Sequence, residues 1–199
     1  MRSTTLPLAL RTSRLLLRCW RPGDAPLLKA ALDASLAHLQ SSVEWARHEP
    51  TPVEQLAQRL AGFAADFNSR GEWLFGILPP DESRVLGGCA ADAAEPALTA
   101  LVGDGAVELG YWLRADATGR GYATEATAAL AHAVFASLGA LRVVVCHDPA
   151  NTGSGAVARR LGFHCLGSVT AAELPGRRGP DGSLRAATTV WVRDADSTL

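Results

Sequence analysis

The stretch from Glu108 to Phe163 constrains the fold most, because strand, turn and helix patterns follow one another there in a set order. An apolar run at 107–113 predicts a strand, and the glycine-containing turn 118–124 opens an Ala-rich helix. A β-branched strand, an Asn-containing loop and another helix follow. Strands that alternate with helices in this way predict an α/β (α+β) fold.

The turn at 118–124 suits an anion. At a helix start, free backbone N–H groups and the positive end of the helix dipole face one point in space. Gly121 and Ala123 are small enough to let a phosphate approach the backbone. We therefore predict a pyrophosphate site here, although the turn alone is equally compatible with an ordinary connection between a strand and a helix.

Two better-known phosphate-binding loops do not fit the turn. It lacks the G-x-G-x-x-G pattern, and no acidic residue closes a following strand about 20 residues later, which disfavours a dinucleotide-binding fold. It also lacks the G-x-x-x-x-G-K-[ST] pattern, which excludes a nucleoside triphosphate P-loop.

The rest of the chain predicts further strands and helices. Strands are predicted at 14–20, 72–78, 84–91, 107–113, 141–146, 163–169 and 186–192, and helices at 24–36, 51–67, 121–138 and 154–161. Asp24 is a predicted helix N-cap, and Thr51 with Glu54 a predicted capping box. The segment 93–104 is predicted as a loop. Without a repeat or linker, the chain is predicted to form one domain over 1–199.

Charge and composition exclude several classes of function. The formal net charge is -1, with 19 basic and 20 acidic residues and no long run of one sign, so nucleic acid is not the expected partner. No apolar segment approaches the roughly 20 residues of a membrane span, and no signal peptide is evident, so we expect a cytoplasmic protein. The four cysteines, which lack metal-ligand spacing, are predicted to be reduced core residues and to bind no metal: Cys19, Cys89, Cys146 and Cys165.

Several separate motifs together suggest a family. In chain order they are Arg11-Thr12-Ser13-Arg14-Leu15-Leu16-Leu17-Arg18, Glu108-Leu109-Gly110-Tyr111-Trp112-Leu113, Gly119-Arg120-Gly121-Tyr122-Ala123-Thr124-Glu125-Ala126, Asn151-x-x-Ser154 and Leu161-Gly162-Phe163. They resemble the GNAT acyltransferase superfamily, in particular its RimJ/RimL-type branch of ribosomal-protein N-terminal acetyltransferases. The resemblance implies the GNAT fold, with a mixed, mostly antiparallel sheet of about seven strands, about four helices, and splayed strands that form an acyl-CoA cleft.

The resemblance also implies acetyl-CoA as co-substrate. The family pattern of the phosphate turn is Gln/Arg-x-x-Gly-x-Gly/Ala, from which this chain departs at Thr118. Binding through backbone N–H groups should tolerate that departure, and Arg120 can supply charge instead. The implied cofactor-binding residues are Tyr111, Trp112 and Leu113 through their backbone, Thr118, Gly119, Arg120, Gly121, Tyr122, Ala123 and Thr124 around the pyrophosphate, and Asn151 and Ser154 beside the pantetheine.

Two residues are implied as catalytic. Glu108 matches the position at which similar enzymes carry the base for the attacking amine, and the weaker rivals are Asp104, His147 and Glu44. The common acid, a Tyr seven residues after the Asn, is replaced by Ala158. Ser154 is the usual substitute in this branch, although its residue type equally suits a helix N-cap.

The acceptor is left open by the sequence. Glu44 and Trp45 lie in the segment that resembles the acceptor-side wall, where the Trp can either stack on substrate or pack on the domain. The amine can belong to a protein N-terminus, as the branch implies, or to a small molecule. A CoA-binding sensor without catalysis is the alternative function. A homodimer also stays open, since related proteins often form dimers.

Overall fold

The computed structural model describes residues 5–69 and 71–195, so the two ends of the predicted 1–199 domain lie outside the described residues. One sheet holds all eight described strands in the order β1-β2-β3-β4-β5-β6-β8-β7. The strands are β1 Ala9–Arg11, β2 Leu16–Cys19, β3 Glu72–Leu78, β4 Gly87–Ala93, β5 Ala106–Leu113, β6 Arg142–His147, β7 His164–Thr170 and β8 Ala187–Asp194. The helices are α1 Ala25–Asp33, α2 Leu36–Gln40, α3 Val53–Asp66, α4 Pro96–Val102, α5 Tyr122–Ala133 and α6 Thr152–Arg160.

The sheet is antiparallel except at its centre. Each neighbouring pair is antiparallel apart from β5 and β6, which run parallel. Two parallel neighbours need a crossover connection, and α5 supplies it between them. This arrangement confirms the predicted mixed, mostly antiparallel sheet and brings the ends of β5 and β6 to the same edge.

Helices cover both faces of the sheet. Strand β6 demonstrates this, because Val143 and Val145 join the apolar cluster that holds α5, whereas Val144 points the other way into the cluster that holds α4. A third cluster packs α1, α2 and α3 against the sheet beside Trp20. Burial on two faces explains why β6 is an almost continuous run of valines.

Several local predictions were wrong. The segment 93–104 is not all loop, because Pro96–Val102 forms α4 with Pro at its start. Thr51 and Glu54 form no capping box, since α3 has Pro52 at its N-cap position without a side-chain hydrogen bond. Asp24 does occupy the N-cap position of α1, but its carboxylate pairs with Arg18 at 2.7 Å instead of capping the helix.

The cysteines and one short strand also differ from prediction. Cys89 is buried, but Cys165 is exposed, so the prediction of four core cysteines was wrong for Cys165. Strand β1, which pairs with β2, was not predicted because three residues carry too little alternation to recognise. The helix that begins at the glycine turn continues beyond Ala133 as a π-helical turn, Val134–Leu138, and so ends at Leu138, as predicted, with Gly139 as its C-cap at a φ of 65°.

Candidate active site

Strands β5 and β6 separate and open a cavity between them. They pair only from Ala106 to Glu108 on β5, whereas β4 pairs with β5 as far as Leu113. Among the described strands, none covers the β6-facing edge of β5 beyond Glu108, so its backbone groups face the gap. The gap belongs to a cavity of about 870 Å³ that is lined by residues from both sides of the sheet.

Tyr111 spans this gap. Its hydroxyl donates a hydrogen bond to the carbonyl oxygen of Ser154 in the first turn of α6, at 3.1 Å. Burial raises the pKa of Tyr111 to about 12, although its interaction with the Ser154 side chain opposes that rise. The sequence assigned only a backbone role to Tyr111, but its side chain connects the splayed strand to α6 and lines the cavity.

The predicted anion turn has the expected geometry. Gly121 is the N-cap of α5 with a φ of 80°, and Gly119 has a φ of 72°. Among the described residues, no group accepts a hydrogen bond from any backbone N–H of residues 119–124. The hydroxyl of Thr118 donates to the carbonyl of Ala115 at 2.8 Å, so this side chain is committed to its own turn. The backbone of the turn is thus the part that remains available to an anion.

A clamp from the N-terminal segment holds the anion turn. Glu125, in the first turn of α5, accepts hydrogen bonds from the hydroxyls of Thr12 and Ser13 and from the backbone and side chain of Arg14. Arg14 also donates to the carbonyl of Arg120 at 3.0 Å and lies over the ring of Tyr122. The first and third sequence motifs therefore meet in space and fix the start of α5.

At the start of α6, Asn151 caps the helix and Ser154 does not. Asn151 is the N-cap, and its side-chain oxygen accepts a hydrogen bond from the backbone N–H of Ser154 at 3.1 Å. The alternative of Ser154 as the N-cap was therefore wrong. Both residues line the cavity, and Ala158, where the usual Tyr would stand, is fully buried one turn further along α6.

Glu108 lies at the point where the two strands separate, and it is not free. Both carboxylate oxygens accept hydrogen bonds from Arg177, at 2.7 and 2.6 Å, and Arg177 also contacts Glu95 at 3.0 Å. Asp92 is directly opposite Glu108 in the pairing of β4 with β5. Burial, followed by the charges of Glu108 and Glu72, raises the pKa of Asp92 to about 7.

The three rival bases have different surroundings from Glu108. His147 is buried, and its Nε2 accepts a hydrogen bond from Trp191 at 2.9 Å while its Nδ1 lies 2.7 Å from the carbonyl oxygen of Asp148. Both ring nitrogens are therefore occupied. Asp104 is exposed in the turn before β5 and is not one of the described cavity-lining residues. Glu44 lines the cavity and pairs with Arg47 at 3.4 Å.

Aromatic side chains form one wall of the cavity. Trp45, in the short 3-10 turn between α2 and α3, contacts Trp112 edge to face with ring centroids 5.6 Å apart. Both tryptophans line the cavity. Trp45 therefore packs on the protein and also presents a face to the cavity. Packing and stacking on a substrate, the two roles left open by the sequence, are compatible with each other.

The loop between β7 and β8, residues 171–186, also lines the cavity. It contributes Arg177, Arg178 and Arg185 to the cavity lining. The sequence reasoning missed all three, because a polar loop rich in Gly and Pro carries no periodicity that would locate its side chains. The one sequence feature that points to this loop is the pair Arg177-Arg178 between two glycines. It does not indicate which elements the arginines contact.

Within residues 5–69 and 71–195, no three His, Cys, Asp or Glu side chains are grouped to hold a metal ion. No helix in those ranges has the length and apolar character needed to cross a membrane.

The fold is shared by acetyltransferases of known structure. The microcin C7 self-immunity acetyltransferase MccE, solved in complex with acetyl-CoA and AMP, has a TM-score of 0.77 at 16% identity, covering 96% of this chain and 98% of that chain. RimL, a ribosomal L7/L12 alpha-N-protein acetyltransferase in complex with coenzyme A, has a TM-score of 0.75 at 22% identity, covering 97% and 99%. The ribosomal-protein-S5-alanine acetyltransferase from Vibrio fischeri has a TM-score of 0.76 at 16% identity, covering 96% and 98%.

The sequence itself carries the family assignment. None of the curated proteins matches it. Residues 14–164 match the family described as the acetyltransferase (GNAT) domain, and this range includes the splayed strands, the anion turn and the start of α6. The match spans well over half of the chain, and the chain therefore belongs to the GNAT acetyltransferase family.

Proposed function

We propose that this acetyltransferase transfers the acetyl group of acetyl-CoA directly to a primary amine, with Glu108 receiving a proton from the amine and Ser154 supplying one to the sulfur. The observation that carries the proposal is the cavity at the splay of β5 and β6, to which both side chains belong. Amine acylation needs a base and an acid at the same site, and Glu108 and Ser154 are candidates for these two roles at one gap.

Three features fit acetyl-CoA. The free N–H groups at 119–124 suit the pyrophosphate, and the β6-facing edge of β5 suits the amide-bearing pantetheine arm, which can pair with it as an added strand would. Asn151, whose side-chain oxygen already caps α6, keeps its NH2 group for a pantetheine carbonyl. Backbone N–H groups along the same edge of β5 can stabilise negative charge on the thioester oxygen.

Direct transfer is favoured over an acylated cysteine. Cys146 lines the cavity beside Glu108, and burial together with the charge of Glu108 raises its pKa to about 12. Burial also raises the pKa of Cys89, which lines the cavity as well. Since the thiolate is the nucleophilic form of cysteine, neither side chain is a suitable carrier of the acetyl group near neutral pH.

Arg177 defines how Glu108 can act. The bidentate bridge orients the carboxylate, and each oxygen retains a second lone pair for a hydrogen bond from the amine. Asp92, with a pKa of about 7, is the adjacent group that can hold or release a proton at neutral pH.

The acceptor we propose is a primary amine, with a protein N-terminal amine as the first class to test. RimL and the S5-alanine enzyme are ribosomal-protein acetyltransferases of the same fold, which supports testing such acceptors here. Small-molecule amines form the second class, because one fold can serve many acceptors.

The deciding experiment follows thiol release from acetyl-CoA with N-terminal peptides and small amines, in the parent and in Glu108→Gln. The variant should bind CoA normally, lose most turnover near pH 7 and recover part of it as the pH rises, because more of the amine is then neutral. Glu95→Gln is the matched control, since it removes the other carboxylate partner of Arg177 and leaves Glu108 in place.

Two results would contradict the proposal. Parental turnover in Glu108→Gln across the pH range would remove Glu108 from the mechanism. Tight CoA binding without thiol release for any amine would favour the alternative of a CoA-binding sensor. The double variant Glu108→Gln/Arg177→Met adds a further check, since it lacks the base without leaving an Arg177 that has lost its main partner.

A further inference from the structure

The loop between β7 and β8 folds back on itself as a small hairpin. Arg178 and Leu184 form a β-bridge, the N–H of Arg185 donates to the carbonyl of Arg177 at 2.9 Å, and the N–H of Gly179 donates to Ser183 at 2.8 Å. Facing residues of a hairpin project their side chains from the same side, with Cβ atoms about 5 Å apart. Arg177 and Arg185 accordingly both reach the cavity.

The two arginines differ in what they already bind. Arg177 is engaged with Glu108 and Glu95. Arg185 has a side chain that is only 15% exposed, and the nearest carboxylate, that of Asp148, is 3.8 Å from its Nε. That buried Nε has no hydrogen-bond partner among the described residues. A guanidinium has five N–H donors, and leaving them unused away from water costs free energy.

The neighbouring acidic groups do not satisfy this cation. Glu108 is bound by Arg177, and Glu44 pairs with Arg47. One oxygen of Asp148 accepts the N–H of Ala150 at 2.8 Å, and the other is the distant partner of Arg185.

A second cation strengthens the positive end of the cavity. Arg178 is exposed at the cavity, and its only hydrogen bond to a described residue is to the carbonyl of Gly182 at 2.6 Å. Asp148 is therefore the one described carboxylate of the cavity lining that is left to balance the charges of both Arg178 and Arg185. The loop side of the cavity keeps positive charge that the described residues do not neutralise.

We infer that Arg185, with Arg178, binds an anionic group on the amine acceptor, a carboxylate or a phosphate that lies a few bonds from the reacting nitrogen. Arginine binds both groups through paired N–H donors. Arg185 is opposite Arg177 in the hairpin, and Arg177 binds Glu108. The bound anion would therefore lie within about the length of one arginine side chain from Glu108, the proposed base. The inference rests on the proposed function and deepens it by naming the class of acceptor.

The anion can come from either of two sources. It can belong to a small amine that carries a phosphate or carboxylate, or to an acidic side chain near a polypeptide N-terminus. Three matched pairs of probes separate these sources: phosphoethanolamine and ethanolamine, β-alanine and β-alaninamide, and peptides that begin Ser-Asp-Asp and Ser-Asn-Asn. Within each pair the amine is retained and only the anionic group changes.

The experiment measures binding of each probe to the CoA-loaded full chain by calorimetry and turnover by thiol release from acetyl-CoA. We expect the anionic member of at least one pair to bind roughly tenfold more tightly than its neutral partner, and this preference to disappear in Arg185→Gln. Arg185→Lys should keep part of it, because the charge stays while the paired donors are lost. Arg160→Gln, an exposed change at the end of α6, is the matched control.

Unchanged affinity for CoA shows that each variant is folded. Equal binding of both members in all three pairs, or an anionic preference that survives in Arg185→Gln, overturns the inference. A preference for the anionic probe without thiol release from any amine supports the anion site and contradicts the proposed transfer reaction. The pair that shows the preference identifies the source of the anion.

Discussion

At the residue scale, charged side chains are concentrated at the point where β5 and β6 separate. Glu108 and Asp92 are directly opposite each other on adjacent strands, and two like charges in this arrangement repel. Arg177 compensates Glu108 through two hydrogen bonds, while Asp92 keeps a pKa of about 7. The pair therefore combines a carboxylate that is bound by an arginine with one whose proton is exchangeable at neutral pH.

Asp92 should make folding stability depend on pH. Its folded-state pKa lies above the value of about 3.9 in an unfolded chain, so the folded state binds the proton more tightly between about pH 4 and pH 7. The contribution of Asp92 to the free energy of unfolding therefore falls as the pH rises through that window. Asp92→Asn should match the parent at pH 4 and be more stable by roughly 1–3 kcal/mol at pH 8, measured by urea unfolding.

Asp104→Asn is the control for this prediction, because Asp104 is an exposed Asp in the turn before β5. A stability difference between Asp92→Asn and the parent that is constant from pH 4 to pH 8 would contradict the raised pKa.

Variants of Ser154 and Asn151 should distinguish a role in catalysis from a role in helix capping. Ser154→Ala should lower kcat by roughly 10- to 1,000-fold with little change in stability, because Asn151 supplies the cap. Asn151→Ala should lower the free energy of unfolding by about 1 kcal/mol through loss of that cap. Steady-state kinetics and thermal unfolding measure the two effects. If Ser154→Ala retained parental kcat, the adjacent Tyr111 hydroxyl would become the candidate acid, and Tyr111→Phe would test it.

At the element scale, the anion turn can be tested with a matched glycine. Gly119 and Gly162 each have a φ of 72°, and an added Cβ would meet no atom within 4 Å at either position. Replacement by Asp, which tolerates this conformation better than most residues, should cost similar stability at both sites. Only Gly119→Asp places a negative charge beside the predicted pyrophosphate site, and it should weaken CoA binding at least tenfold by calorimetry. Equal CoA affinity in the two variants would rule out this turn as the phosphate site.

Elements with strong patterns were predictable from the sequence. Strand β3, at 72–78, was predicted with the observed bounds, and β5 differs from its prediction only at Ala106. Their alternating or continuous apolar residues face a sheet that is covered by helices, so the pattern directly reflects burial. The seven residues of α4 gave no comparable signal, because a helix this short needs few apolar positions and draws its stability from packing on the sheet.

The candidate site was predictable only where motifs are local. The anion turn and the start of α6 are each built from a few consecutive residues, so their glycines, Asn151 and Ser154 could be recognised in sequence. The bridge from Arg177 to Glu108 joins residues separated by 69 positions, and the pairing of Asp92 with Glu108 depends on strand register. Such contacts are set by the tertiary fold, which local periodicity does not encode.

At the scale of the whole molecule, the cavity depends on segments from both halves of the chain. The turn with Trp45 and the loop with Arg185 both line it, and Arg47 extends to Gly182, where an added Cβ would collide with its guanidinium. This part of the cavity is therefore closed by side-chain contact between two loops, whereas the gap between β5 and β6 is built on strands and helices. Changes of acceptor among proteins of this fold can then be expected to lie in these loops.

The clamp around Glu125 links the first described strands to the anion turn and should couple folding to CoA binding. Burial alone would raise the pKa of Glu125, but hydrogen bonds from Thr12 and Arg14 outweigh it and lower the pKa below its ordinary value. Stability from this carboxylate is therefore present above the unfolded value of about 4.3 and is lost as the pH falls through the folded value. Glu125→Gln should lower the free energy of unfolding by about 1–3 kcal/mol at pH 7.

The difference between the variant and the parent should shrink as the pH falls toward 3, because protonation of the parent carboxylate removes the charge that these hydrogen bonds depend on. The variant should weaken CoA binding too, because Arg14 holds both Glu125 and the carbonyl of Arg120 in the turn. Glu54→Gln, an exposed change near the start of α3, is the matched control for charge and should alter neither property. Urea unfolding at pH 7 and pH 3, with calorimetry at pH 7, measures both effects. A loss of stability with parental CoA affinity would show that the clamp supports the fold but does not shape the turn.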